Sequence, residues 1–314
     1  MNSTHLPPAI ALMGPTASGK TRIAIELAQA LNGEVISVDS GLVYRGMDIG
    51  SAKPSPEEMT GVPHHLIDIL DPSEAYSTGQ FRDQALALIA AVGARGRIPI
   101  LAGGTMLYFN ALFHGLAPLP PAEPEIRARL DAEAAEIGWH GMHDALRRVD
   151  PASAKRIHPN DPQRIQRALE VFHITGRPLT ELWTEGEAQA PSCRFVRLVL
   201  SPESREILHE RIALRFRTML AMGLVEEVNK LYTRGDLNAS MPSIRAVGYR
   251  QVWSYLQGDW DHATMTEKAI TATRQFAKRQ FTWLRRETDA RHYSSCDTVT
   301  RQILADLDQD LRLA

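Results

Sequence analysis

Eight residues near the start of the chain, Gly14-Pro15-Thr16-Ala17-Ser18-Gly19-Lys20-Thr21, fit the spacing G-x-x-x-x-G-K-[ST]. That spacing holds a phosphate chain. Backbone N–H groups ring the anion, a following helix N-terminus adds positive potential, Lys20 supplies charge, and the Thr21 hydroxyl can ligate magnesium. The loop does not say which phosphate compound it holds. A second chemical residue, Asp39, closes the apolar run that starts at Glu34, and Ser40 follows it. A carboxylate at the carboxyl end of a strand has two chemical uses. It can partner magnesium in an NTP-using kinase or NTPase, or it can be a general base for a nucleophile beside the bound phosphate compound. A turn or helix-capping aspartate is the structural alternative. Gly103-Gly104-Thr105 ends another run, Ile98 to Ala102, where glycines permit close backbone approach and Thr105 offers a hydroxyl. Alone this is a tight turn; beside the loop and Asp39 it is a third wall of one pocket.

The elements that must position these residues alternate. Ala9 to Met13 reads as a strand, Arg22 to Leu31 as an amphipathic helix, Glu34 to Asp39 as a second buried strand, Gly79 to Ala94 as a helix and Ile98 to Ala102 as a third buried strand. Short β-rich apolar runs separated by helices predict an α/β fold, a P-loop NTPase-like parallel sheet flanked by helices. Composition then shifts. Leu116 to Pro124 is proline-rich, Glu125 to Leu182 reads as helical throughout, and after Pro191 strand character returns at Arg194 to Leu200. The expected organisation is a core domain of residues 1–118 plus 194–314, with a helical C-terminal part, interrupted by an all-helical insertion domain at 119–193.

The 314 residues are 44% apolar and 23% charged, the composition of an ordinary soluble chain. Lys plus Arg number 35 against 37 Asp plus Glu, so overall charge does not announce a nucleic-acid binder and any such surface is a local patch. No run approaches a membrane span and the N-terminus lacks the pattern of a signal peptide, so a cytoplasmic location is expected. Cys193 and Cys296 stand far apart without metal-ligand spacing and read as free thiols. His64 and His65 are adjacent rather than one turn apart, which argues against zinc and for a loop with one buried and one exposed ring. No coiled-coil pattern is present, and a monomer is expected.

Two basic segments remain. Gln163, Arg164 and Arg167 lie on a predicted helix with the apolar stripe Ile165, Leu169 and Phe172. Downstream, Ile270, Ala277, Phe281 and Leu284 form an apolar stripe, with Arg274, Lys278 and Arg285 in a second line and Arg279 and Arg286 beside it. Arg245, Tyr249 and Arg250 surround the glycine break at Gly248. Arginines with an aromatic suit a nucleic-acid strand, with charge for phosphate and a ring for an unstacked base. Solvated faces laced with salt bridges are the plain alternative, and the first segment also suits a lid.

Taken in order, G-P-T-A-S-G-K-T at 14–21, V-D-S-G-L-V-Y-R-G-M-D-I-G-S-A-K-P at 38–54, P-H-H-L-I-D at 63–68, G-G-T-M-L-Y at 103–108, R-A-V-G-Y-R-Q at 245–251 and R-Q-F-A-K-R-Q-F-T-W-L-R at 274–285 closely resemble the bacterial tRNA dimethylallyltransferases. That family moves a dimethylallyl group from its diphosphate to the exocyclic amine of the adenosine just 3′ of the anticodon. The resemblance implies that Gly14, Pro15, Thr16, Ala17, Ser18, Gly19, Lys20 and Thr21 hold the diphosphate of dimethylallyl diphosphate, with Mg2+ near Thr21, although the motif is easily labelled ATP-binding. It makes Asp39 the general base and groups Lys20 and Thr105 with it in the catalytic set. It assigns tRNA contacts to Asp39, Ser40, Gly41 and Leu42, to Thr105 and Arg127, to Gln163, Arg164, Ile165, Gln166 and Arg167, and to Arg245, Ala246, Val247, Gly248, Tyr249 and Arg250. Arg274 and Lys278 join them on the basic helix. It further implies a flipped adenine entering a channel opposite the prenyl donor, with the insertion clamping the anticodon stem. Gly41 and Val43 stand at variable positions of the pattern, and Phe276 and Phe281 replace commoner Leu or Ile; none removes a chemical group. A small-molecule kinase, or prenyl transfer to free AMP or ADP, would share the loop and the acid but has no use for the basic C-terminal helix.

Overall fold

The computed structural model describes residues 8–186 and 193–312. In chain order the elements are β1 (Ala9–Met13), α1 (Lys20–Ala30), β2 (Gly33–Val38), α2 (Pro56–Met59), β3 (His64–His65), α3 (Thr78–Ala94), β4 (Ile98–Gly103) and α4 (Met106–His114). There follow α5 (Pro124–Val149), α6 (Pro151–Arg156), α7 (Pro162–Thr175), α8 (Leu179–Gly186), β5 (Phe195–Ser201), α9 (Arg205–Ala221), α10 (Leu224–Tyr232), α11 (Tyr249–Leu256), α12 (His262–Leu284), β6 (Arg291–Ser294) and α13 (Val299–Arg312). The chain forms two compact units, one of Met1–Leu112 with Ser192–Ala314, the other of Phe113–Pro191.

The first unit is built on a six-stranded parallel sheet of order β3-β2-β4-β1-β5-β6. Strands β1 and β2 are buried along their whole length, as apolar runs covered on both faces must be. On one side Ile23 and Leu27 of α1 and Val299, Ile303 and Leu307 of α13 join Ile10, Leu12, Ile100 and Leu198 in a single cluster. The four-residue spacing of the α13 stripe puts its three side chains on one helix face, and truncating Leu307 to Ala should cost about 2–5 kcal/mol. A second cluster packs Val43, Tyr44 and Met47 with Leu208, Ile212 and Phe216 of α9, Leu224 of α10, Tyr249 and Trp253 of α11 and Ala277 of α12.

Register decides where the chemistry goes. Met13 of β1 and Val38 of β2 both stand opposite Gly103 of β4. The three strands therefore end level, and Gly14, Asp39 and Gly104 emerge side by side at one edge, where parallel sheets hold their ligands.

The second unit departs from the unbroken helical reading of 125–182. Its described residues from 124 to 186 form four helices. Helix α5 is kinked where Gly138 adopts φ 72°, Asp150 caps α6 through the Ser153 N–H, and Gly176 in the left-handed region ends α7. Leu130, Met142, Leu146, Ile165, Ala168, Leu169 and Val171 form its core. On α7 the buried stripe is Ile165, Ala168, Leu169 and Val171, while the expected Phe172 sits at its rim. The insertion, expected at 119–193, stands beside a compact unit of Phe113–Pro191, whose last residues, 187–191, lie outside the described residues. Strand β6 is a polar edge strand within the C-terminal part expected to be mainly helical, and His64-His65 pair with β2 as β3 rather than forming a loop. No helix among the described residues is long and apolar enough to cross a membrane.

Candidate active site

The phosphate loop leaves β1 at Gly14, where there is no room for a side chain: a Cβ would lie 2.3 Å from the Leu200 carbonyl oxygen. The loop ends at Gly19, whose φ of 86° lets α1 start directly at Lys20. Lys20 Nζ donates to the Pro15 carbonyl at 2.6 Å and reaches Ser18 Oγ at 3.5 Å. Burial pulls the ammonium down from 10.5 to about 7; Asp39 opposes that shift and Arg215 adds to it. Thr21 is exposed at the first turn of α1 and lines the same cavity.

Asp39 follows β2 and is partly exposed; its Oδ1 accepts the Gly41 N–H at 2.8 Å. Thr105, after β4, accepts the Ser40 N–H at 3.1 Å and donates to Ser40 Oγ at 3.4 Å, tying the third wall to the second. Two chambers meet here. The larger, about 1260 Å³, is lined by Thr16 to Thr21, Asp39, Lys53, Arg211, Arg215 and Phe276. The smaller, about 410 Å³, is lined by Asp39, Ser40, Gly41, Thr105, Arg245 to Tyr249, Arg279 and the aromatic residues Tyr44, Tyr76, Tyr108, Phe216 and Phe276. Thr16, Ala17, Ser51, Asp39, Arg215, Met219 and Phe276 belong to both. Leu42 lines the larger chamber only.

The floor of the chambers is pinned from α10. Glu227 accepts the backbone N–H groups of Asp48, Ile49 and Gly50 at 2.9, 2.8 and 3.1 Å and the Tyr249 hydroxyl at 2.6 Å. Lys53 adds contacts to the Tyr44 carbonyl, Asp48 and Asp68. Tyr249 is thus a structural anchor, 1% exposed, not a free stacking platform. Arg245 and Arg250 beside it are exposed, Ala246 and Val247 half-buried, and the Gly248 N–H is held by Gln251 Oε1 at 2.8 Å.

On α12, Lys278 and Arg279 are exposed, with Arg279 over the Phe276 ring at 5.7 Å. Arg274 is half-buried and its Nε has no hydrogen-bond partner. Phe281, expected in the buried stripe, lies at the margin; Gln280 is buried instead. Two residues that sequence reasoning missed matter most: Gln280, which bonds the Thr16 N–H, and Arg215, half-buried between the chambers.

The predicted site residues of the second unit form a group of their own. Glu170 is fully buried and accepts Arg127 Nε at 2.8 Å, Arg167 Nη1 at 2.6 Å and the Glu123 N–H at 2.8 Å. Burial works to raise its carboxyl, but these donors overcome it and hold the group below the usual carboxylate range. Arg127 and Arg167 are therefore committed to a buried acid, and Arg167 also donates to the Pro120 carbonyl. Gln166 bonds Asp131 and Arg164 pairs with the α7 cap Asp161, whereas Gln163 is exposed. Ile165 is 0% exposed, so its side chain serves the core and does not reach an RNA surface.

The His pair forms the outermost strand β3, separated from β1 and its phosphate loop by β2 and β4. His65 meets the buried Glu34 at 2.6 Å, and Arg95 and Arg97 complete the cluster. The Arg95 hydrogen bond pulls Glu34 down to about 2 against its burial, with His65 helping. Both histidines are half-buried. Among the described residues no group of three or more His, Cys, Asp or Glu could hold a metal ion, and Cys193 and Cys296 are free.

Residues 42–287 match the model of the family described as IPP transferase. The chain is 64% identical over 290 residues to a tRNA dimethylallyltransferase of Methylococcus capsulatus, covering 92% of this chain and 93% of that protein. It is 61% identical over 279 residues to a tRNA dimethylallyltransferase of Thioalkalivibrio sulfidiphilus, covering 89% and 87%. Among solved structures, the tRNA isopentenylpyrophosphate transferase of Bacillus halodurans superposes with a TM-score of 0.72 at 39% identity over 98% of this chain and 97% of that one. A eukaryotic dimethylallyltransferase acting on tRNA superposes with a TM-score of 0.81 at 28% identity, over 96% of this chain and 78% of that one. On the family match and these relatives alike, the chain belongs to the IPP transferase family.

Proposed function

We propose that this chain transfers a dimethylallyl group from dimethylallyl diphosphate to N6 of the adenosine 3′-adjacent to the anticodon in tRNA, releasing diphosphate. The observation that carries the reading is the meeting of the two chambers at Asp39, with the phosphate loop in one and Thr105, Ser40 and an aromatic wall in the other. The donor enters from the loop side, its diphosphate held by the loop amides and Lys20. The anion restores the proton that burial makes Lys20 surrender near pH 7. The smaller chamber takes the extruded adenine, since planar rings suit its tyrosines and Phe276.

The adenine amine is a weak nucleophile because its lone pair is delocalised. As the N6–C1 bond forms, Asp39 accepts the amine proton, a role that contributes roughly 10²–10⁴-fold in rate. The C1–O bond breaks and its electron pair leaves with diphosphate, whose charge Lys20 and the loop N–H groups stabilise. Arg215, which lines both chambers, adds a second cation there.

Thr21 brings a hydroxyl, a hard oxygen donor, to the larger chamber beside the phosphate loop. Such a sparse donor set fits Mg2+, which keeps several waters and takes phosphate oxygens rather than an all-protein cage. When bound, it neutralises charge on the diphosphate. Exposed Arg245, Arg250, Lys278 and Arg279 supply the backbone contacts to RNA, and the helical unit at 119–193, through Gln163 and Arg164, contributes to holding the anticodon stem. The protein acts as a monomer in the cytoplasm. The deciding experiment offers dimethylallyl diphosphate with an anticodon stem-loop or with AMP. Prenylated stem-loop with stoichiometric diphosphate is expected. Turnover confined to AMP, or phosphoryl transfer from ATP without prenylation, overturns the proposal.

A further inference from the structure

Gln280 lies on the inner side of α12 and is 4% exposed. Its Oε1 accepts the Thr16 N–H at 2.9 Å and its Nε2 donates to the Gly104 carbonyl at 2.8 Å. These contacts belong to different halves of the site. Thr16 is in the donor loop. Gly104 precedes Thr105, whose hydroxyl holds the Ser40 N–H next to Asp39. The clasp is tightly fitted, for a Cβ on Gly104 would stand 2.4 Å from Gln280 Nε2.

Sheet register fixes where β1, β2 and β4 end, but the loops beyond those ends need a further restraint. A primary amide presents one acceptor and one donor at a fixed separation, which matches one backbone N–H and one backbone carbonyl at once. A carboxylate could keep the Thr16 contact and would turn an oxygen toward the Gly104 carbonyl. A thioether of similar length would lose both bonds and leave two backbone groups without partners.

We propose that Gln280 is a positioning residue that sets the separation and alignment of the donor carbon and the acceptor amine. This rests on the prenyl-transfer reading. In-line displacement is sensitive to such placement, and a shift of about 1 Å far from the chemistry can lower a rate by about 10²-fold. The Thr16 N–H is committed to Gln280, so the diphosphate is left to the remaining loop N–H groups and Lys20, and RNA is met by the exposed side chains of α12. Loss of the clasp therefore separates binding from chemistry. The allylic carbon remains electrophilic in a misaligned site. A water oxygen can then form the new C1–O bond in place of N6, giving dimethylallyl alcohol and diphosphate as the old C1–O bond breaks and a proton is released.

The test compares wild type with Gln280→Met and Gln280→Glu, measuring kcat, both KM values, thermal midpoint, and diphosphate released per adenosine prenylated. Gln280→Met should lower kcat of transfer by roughly 30–100-fold while both KM values stay within about threefold, and diphosphate should exceed prenylated adenosine. Gln280→Glu should show the same uncoupling, with a higher donor KM from its charge; because it keeps the Thr16 contact it carries the test if the Met protein does not fold. Unchanged kcat with raised KM, or a product ratio held at one with activity following only the folded fraction, overturns the positioning role. A wild type that fails to release one diphosphate per prenylated adenosine overturns the prenyl-transfer reading instead.

Discussion

Replacing Lys20 by Met should stabilise the protein while abolishing transfer. The ammonium is held in the loop with the Pro15 carbonyl at 2.6 Å as its one close acceptor, and burial lowers it from 10.5 to about 7. At about 1.36 kcal/mol per unit, that difference sets an upper bound on the order of 5 kcal/mol for carrying the charge in the folded loop. The sign follows from linkage. Between about 7 and 10.5 the unfolded chain holds a proton that the folded one has lost, so this group makes stability rise with pH across that window and is at its most unfavourable below it. Losing the Pro15 bond takes back about 1 kcal/mol. Chemical denaturation at pH 6 and pH 9, in buffer free of phosphate, should show Lys20→Met more stable than wild type at pH 6 and the two converging toward pH 9. Added diphosphate should narrow or reverse the difference by stabilising wild type more than the variant. A variant less stable than wild type at pH 6, or a difference that does not change with pH, refutes the reasoning.

Asp39→Asn keeps the size of the side chain and loses the base, so single-turnover prenylation should slow by about 10²–10⁴-fold with donor KM nearly unchanged; equal loss in KM would assign Asp39 to binding. Glu170→Ala should destabilise the helical unit by about 1–3 kcal/mol, discounted because both arginines reach solvent. Since the Glu170 carboxyl is held low, its contribution is present above the ordinary carboxylate range and lost as pH falls, so acid unfolding of wild type and variant should converge at low pH. Lys278→Glu should weaken stem-loop binding and reduce the salt slope by about one, read by fluorescence anisotropy from low to moderate salt; an unchanged slope would mark a merely solvated side chain.

Much of the chemistry was legible because it is written contiguously. The phosphate loop, Asp39 and Thr105 each sit at the end of an apolar run, and a parallel sheet sends such ends to one edge. The sheet order and the level endings of Met13, Val38 and Gly103 were not legible, since register is set by pairing between distant segments. Gln280 does carry a signal in the sequence. It lies three residues after Ala277 and four before Leu284, on the buried stripe of α12, and a polar residue there requires partners. Arg215 had none, because α9 is so rich in charge that one inward-facing arginine does not stand out from the others. For Arg127 and Arg167 the sequence showed cations but not the buried Glu170 that engages them. Ion pairing depends on tertiary burial, which the charge pattern of a helix face does not contain.

The phosphate loop by itself is equally suited to a kinase, and the choice between the two chemistries rests on what faces it. A phosphoryl acceptor needs a hydroxyl and a base beside the terminal phosphate. Here the carboxylate stands in the wall of a second chamber lined by Tyr44, Tyr76, Tyr108 and Phe276 and flanked by Arg245 and Arg279. Rings and guanidinium groups around a single acid form a receptacle for a planar base attached to a phosphate backbone. In the proposed reaction the acid lies between the leaving group and the amine, where one carboxylate takes a proton as the other side loses an anion. Lys20 fits the same logic: an ammonium brought near neutrality by burial gains most when a dianion arrives, so donor binding offsets what folding the loop costs.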